Sequence, residues 1–142
     1  LNVNFENTNQ IVAGASMGGL MSIKTSILFP QFKNIISLSP AFWFGYPRVL
    51  YDVKNLSNES STYLYTGKKE GHIFGDHVKN IFSNDWDLDF SNNDDFYYSG
   101  VKKIEDSLQS NDKKVIFSYQ ENGHHNETSW ATAILDILGK LI

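Results

Sequence analysis

Ser16 lies in Gly14-Ala15-Ser16-Met17-Gly18, a G-x-S-x-G pattern. A serine at this spacing can act as a nucleophile. Small neighbours allow a sharp strand-to-helix turn, which stands the hydroxyl clear of the backbone. The next N–H, that of Met17, then points to where an oxyanion would develop. The N-terminus of the following helix lies behind the same spot. A serine also needs a base, usually histidine, and the chain has His72, His77, His124 and His125. The last two fall in Glu121-Asn122-Gly123-His124-His125-Asn126, directly after an apolar run. Sheet sites lie at the carboxyl ends of strands, so a histidine there faces the Ser16 turn. Position alone does not choose between His124 and His125.

The third member of such a group is a carboxylate that orients the imidazole. Glu70, in Thr66-Gly67-Lys68-Lys69-Glu70-Gly71, falls just past another strand-like run. Asp76, Asp94 and Asp95 are its rivals in the same long connection, and a glutamate beside two lysines can equally be a surface charge. A dehydrogenase reading of the Gly14–Gly19 turn fails. G-x-G-x-x-G is absent, although Tyr65…Lys69 and Tyr98…Lys102 have Y-x-x-x-K spacing. Asp85-Trp86-Asp87-Leu88-Asp89 starts like a calcium loop but has Phe90 at the sixth position and Phe96 at the twelfth, so no EF-hand is expected.

The elements that must position these groups follow from periodicity. Residues 10–15 form a short apolar run, expected to be a buried strand. Apolar positions 17, 20, 21, 27 and 28 have helical spacing over 17–29, and Pro30 stops that helix. Residues 33–38 read as a second strand, leading into an aromatic loop over 39–47. The β-rich residues 62–66 read as a third strand and 115–119 as a fourth, followed by a loop over 120–126. Val101, Ile104 and Leu108 mark a helix over 96–109. Trp130, Ile134, Ile137, Leu138, Leu141 and Ile142 mark a terminal amphipathic helix. The polar stretch 72–95 has no clear periodicity. Strands alternating with helices imply an α/β fold, a parallel sheet with flanking helices.

Composition narrows the function. With 142 residues, the chain is expected to form one domain spanning 1–142. Twelve basic against sixteen acidic residues leave a net charge of −4, and no basic face stands out for nucleic acid. There is no cysteine, which excludes a thiolate metal site, a disulfide scaffold and a cysteine nucleophile. No apolar run approaches the ~20 residues of a membrane span, and no signal peptide is visible. The compartment stays open, with the cytoplasm as the default. No cofactor or metal is needed for the chemistry above.

Together these stretches resemble the α/β-hydrolase superfamily. Within it the chain is similar to bacterial esterases that include the enterobactin-type siderophore esterases and the esterase D group. The resemblance is carried by Ile11-Val12-Ala13-Gly14-Ala15-Ser16-Met17-Gly18-Gly19-Leu20, by Ser37-Leu38-Ser39-Pro40-Ala41-Phe42-Trp43, by Tyr65-Thr66-Gly67-Lys68-Lys69-Glu70, and by Gly123-His124-His125-Asn126-Glu127-Thr128-Ser129-Trp130. The order Ser16…Glu70…His125 is that of α/β-hydrolases. In the family the catalytic histidine precedes a tryptophan by five positions, which selects His125 from Trp130. The family acid stands three residues after a strand-ending glycine, which selects Glu70 from Gly67. The resemblance makes Trp43 a wall of the substrate pocket.

What the resemblance implies is a serine esterase. Ser16, His125 and Glu70 would form its triad and the Met17 N–H one oxyanion donor, acting on siderophore, feruloyl or other small esters. A non-catalytic hydrolase-derived module is the alternative. In the family the serine strand is the fifth. The chain is therefore expected to carry strands five to eight, the C-terminal portion of a domain, with residues 1–9 as lead-in. A missing N-terminal half, or self-association in its place, is expected as a partner.

Overall fold

The alternation of apolar and amphipathic segments produces an α/β fold, seen in a computed structural model that describes residues 9–141. Most of the expected lead-in, 1–8, and the terminal Ile142 lie outside the described residues. The elements are β1 (Ile11–Ala15), α1 (Met17–Leu28), β2 (Asn34–Leu38), α2 (Arg48–Asp52), β3 (Ser61–Lys69), α3 (Val78–Ile81), α4 (Asn93–Ser110), β4 (Lys114–His124) and α5 (Glu127–Leu141). Short 3-10 turns cover Phe42–Phe44, Val53–Asn55 and Gly71–Ile73.

The four strands pair in parallel and in chain order, β1-β2-β3-β4. A sheet that grows in one direction through crossovers of one hand carries its connecting helices on one face. The packing agrees. Leu20 and Ile23 of α1, Val49 of α2 and Val101, Ile104 and Leu108 of α4 share one core with Ile35 and Leu64 of the sheet. Strand side chains alternate faces, so Ile36, Leu38, Tyr63 and Tyr65 point the other way. They pack on Ala133 and Ile137 of α5. Among the described residues the second face thus has one helix where the first has several, and a shallow apolar groove lies between Ala13, Ala15 and Leu38 of the sheet and Trp130 and Ile134 of α5.

Several boundaries differ from the sequence reading, each for a local reason. α1 stops at Leu28 because Phe29, which precedes Pro30, is pushed out of helical geometry, to φ −128 and ψ 82. α4 starts at Asn93 rather than at 96, because the Asn92 side chain accepts the Asp95 N–H at 2.9 Å and Asp94 and Asp95 favour the first turn. The loop expected over 120–126 is mostly strand. β3 runs on to Lys69, and its extra length pairs with β4 through Gly67↔Gln120 and Lys69↔His124, across an irregularity in register. The polar stretch 72–95 is turns around the single-turn α3 up to residue 92, and its last three residues open α4. No helix among the described residues is long and apolar enough to cross a membrane.

Candidate active site

Three strand ends converge. β1 ends at Ala15, and Ser16 follows with φ 56, in the left-handed region that a side chain adopts only under constraint. The turn is held from both sides of its peptide: the Ser16 N–H donates to the Leu38 carbonyl at 2.9 Å, and the Ser16 carbonyl accepts from the Ala41 N–H at 2.9 Å. The close approach that tightens it falls on Gly14. A Cβ there would lie 2.3 Å from the Gly18 carbonyl oxygen. Gly18 itself has open space where a side chain would stand, so the need for small neighbours is not symmetric about the serine. Met17 opens α1, and no residue of that helix can accept its N–H.

β3 ends at Lys69, and Glu70 follows. It is fully buried, not a surface charge. One carboxylate oxygen, Oε1, accepts the Gly67 N–H at 2.5 Å and the Ser39 hydroxyl at 2.6 Å. The other, Oε2, lies 2.8 Å from His125 Nδ1. β4 ends at His124, so His125 leaves the sheet beside Glu70, and its Nε2 lies 2.9 Å from Ser16 Oγ. A continuous chain of hydrogen bonds therefore runs from the Ser16 hydroxyl through the imidazole to a buried carboxylate. With Nδ1 donating to Glu70, Nε2 is left free to accept the serine proton. Burial strengthens the contacts at the Glu70 end of this chain.

Two tyrosines flank Glu70 and stay protonated. Burial first, and then the Glu70 charge, push the Tyr97 hydroxyl well above the usual phenol range. The same two causes raise Tyr65 to about 12. The Tyr97 ring also packs against His125, with centroids 5.4 Å apart, and the Trp130 ring meets His125 edge-on at 4.9 Å.

The other candidates stand elsewhere. His124 is exposed, with its ring 5.6 Å from His72. His77 caps α3 through the Lys79 N–H. Asp94 accepts the Gly71 N–H, Asp76 the His77 N–H, and Asp95 the Asn92 amide. Asp85, Asp87 and Asp89 are engaged separately by Ser83, Lys103 and Ser91, and among the described residues no three His, Asp or Glu side chains are grouped to hold a metal ion. Trp43 packs against Phe42, Phe74 and Tyr97, and it reaches His125 at one remove, through the Tyr97 ring.

Neither a family nor a curated protein matches this chain. The residues themselves therefore carry the functional reading. Two that touch the site went unread in the sequence, Ser39 and Tyr97. Ser39 had a usable signal: it is the polar residue just past the end of a strand, the position that drew attention to Glu70 and His125.

Proposed function

We propose that this chain is a serine hydrolase of the α/β-hydrolase type that cleaves carboxylic esters through an acyl-enzyme. The observation that carries the proposal is the Ser16–His125–Glu70 hydrogen-bond chain, at 2.9 and 2.8 Å, with its carboxylate end buried. Its chain order and its place at three strand ends add support.

In this reading Ser16 Oγ attacks the ester carbonyl carbon while its proton passes to His125 Nε2. Glu70 stabilises the imidazolium that results and keeps Nδ1 as the donor. The Met17 N–H donates to the oxyanion of the tetrahedral intermediate. As the intermediate collapses, the C–O bond to the leaving alcohol breaks, and His125 returns the proton to that oxygen. Water then attacks the acyl-serine by the same route in reverse and releases the acid. No group beyond these side chains and water is required to balance the steps. Siderophore, feruloyl and other small esters are the substrate classes that the sequence resemblance implies, with Trp43 as a pocket wall.

A fluorophosphonate probe tests the proposal, because it reports an activated serine even where turnover is slow. The expected result is a single adduct, mapped to Ser16 by peptide mass spectrometry and missing in Ser16→Ala. Wild-type protein that is folded yet unlabelled would overturn the reading in favour of a non-catalytic module.

A further inference from the structure

Ser39 makes four hydrogen bonds, and together they fix the direction of its one hydroxyl proton. Its N–H donates to the Tyr65 carbonyl at 2.7 Å, and its carbonyl accepts the Tyr97 hydroxyl at 2.6 Å. Its Oγ lies 3.0 Å from Trp130 Nε1 and 2.6 Å from Glu70 Oε1. An indole N–H can only donate, and a carboxylate can only accept. Ser39 Oγ therefore accepts from Trp130 and gives its own proton to Glu70. The residue is fully buried and sits at φ 43, a left-handed conformation that a serine holds only when its surroundings impose it. Its place in the chain adds to this. Ser39 lies between Leu38, whose carbonyl holds the Ser16 N–H, and Ala41, whose N–H holds the Ser16 carbonyl. One short turn thus ties the backbone of Ser16 to the side chain of Glu70.

We propose that Ser39, held by the Trp130 indole, is a positioning residue for the candidate triad: it fixes the carboxylate of Glu70 so that Oε2 stays aligned on His125 Nδ1. The proposal rests on the serine-hydrolase reading. Gly67 N–H alone is one donor on one oxygen and leaves the carboxyl free to swing about that contact; the Ser39 hydroxyl is the second point that stops it. Trp130 keeps Ser39 from turning its proton elsewhere. Helix α5 is thereby coupled to the acid of the site by a single N–H.

The test compares Ser39→Gly, Ser39→Ala and Trp130→Phe with wild type in the intact chain. Glycine accepts φ 43 without strain, so Ser39→Gly removes the hydroxyl while relieving the backbone, and it keeps the test open if Ser39→Ala does not fold. Two readouts are used: the rate of Ser16 labelling by the fluorophosphonate, and the low-field proton resonance of His125 Nδ1–H. In Ser39→Gly the labelling rate is expected to fall about 10- to 100-fold, as for a lost hydrogen bond to a charged group. The low-field resonance is expected to vanish or move upfield, with a cooperative thermal melt retained. Trp130→Phe, which keeps a ring against His125, is expected to slow labelling less, and the double variant no more than Ser39→Gly alone, since the indole N–H that it removes acts through Ser39. Wild-type rate and resonance in Ser39→Gly would overturn the proposal, as would additive losses in the double variant. The two readings fail separately. An unlabelled wild type defeats the hydrolase while the resonance still decides on Ser39; a labelled wild type with an indifferent Ser39→Gly defeats the positioning role alone.

Discussion

The two ends of the hydrogen-bond chain are built in opposite ways. Glu70 comes from β3, an inner strand whose residues from Ser61 to Gly67 are all buried and whose neighbours are β2 and β4. Ser16 comes from β1, an edge strand of the sheet among the described residues, in which no residue is fully buried. The carboxylate has three partners and no exposure. The turn that carries the serine is open, and Met17 beside it is 40 % exposed. Chemistry explains the difference. A buried carboxylate without donors would be costly, so it needs a closed, fully satisfied seat. A nucleophile must meet a ligand from outside, so its constraint has to come through the backbone, and here it is the strained φ held by Leu38 and Ala41.

That contrast can be broken most directly at the open end. Ser16→Ala is expected to abolish fluorophosphonate labelling entirely and to remove any hydrolysis of a p-nitrophenyl ester, since a nucleophile acts as a unit with its base. A residual rate above about a tenth of wild type would count against Ser16. Next in size is the histidine pair. His125→Ala should slow labelling by about a thousandfold or more, whereas His124→Ala, whose exposed ring meets His72 rather than the triad, should leave the rate within a factor of about three. Equal losses would mean that the wrong histidine has been read. At the closed end, Glu70→Gln should slow labelling by a factor on the order of a thousand, and Asp94→Asn should not, because Asp94 serves Gly71 rather than the imidazole. Comparable losses in the two would move the acid into the 72–95 connection.

Much of this was legible in the sequence because period and punctuation agree. β1, α1, β2 and the core of β3 fall within a few residues of the positions given by apolar spacing and by Pro30. Ser16, His125 and Glu70, singled out by strand-end logic and by the resemblance, are brought into one hydrogen-bond chain with His125 in the middle. What was not legible depended on long-range pairing. Nothing local tells 120–124 to be strand; the continuation of β3 does, through Gly67 and Lys69. The start of α4 was readable from Asn92 and Asp95 but was masked by the polar run before it. Ser39 stands at a readable strand-end position, but its partners are not local, since its contacts come from residues 31 and 91 positions away. The glycines show the same limit, and they carry a stability prediction. The pattern treats Gly14 and Gly18 alike, yet only Gly14 has backbone in the way of a Cβ. Gly14→Ala is expected to cost about 2 kcal/mol or more, or to prevent folding. Gly18→Ala, in the first turn of α1, should be neutral or stabilising by up to about 1 kcal/mol. Urea melts of the two variants would check this, and equal destabilisation would show that the turn is packed differently.

The smallest expected effect sharpens the contrast on the serine side, where an ion pair adds to the buried core that Leu20 and Ile23 of α1 share with Val49 of α2. Asp52, at the end of α2, is bound by Lys24 of α1 and by Arg48, whose Nε lies 2.7 Å from Oδ1. The hydrogen bond from Lys24, followed by that from Arg48, holds the Asp52 carboxyl below the ordinary aspartate value. A group whose folded value lies below its unfolded value stabilises the fold above the unfolded value of about 3.9 and loses that contribution as pH falls through the folded one. Asp52→Asn should therefore lower stability by less than about 1 kcal/mol at neutral pH, and the gap from wild type should close only when the pH drops below about 4. Thermal melts of both proteins from pH 7 down to pH 3 would trace it. The rate of Ser16 labelling at neutral pH should stay that of wild type, because Leu38 and Ala41, not α2, hold the serine turn. A slower rate in Asp52→Asn would mean that the seat of α1 on α2 also sets the angle of Ser16, and the open end of the site would then depend on packing as the closed end does.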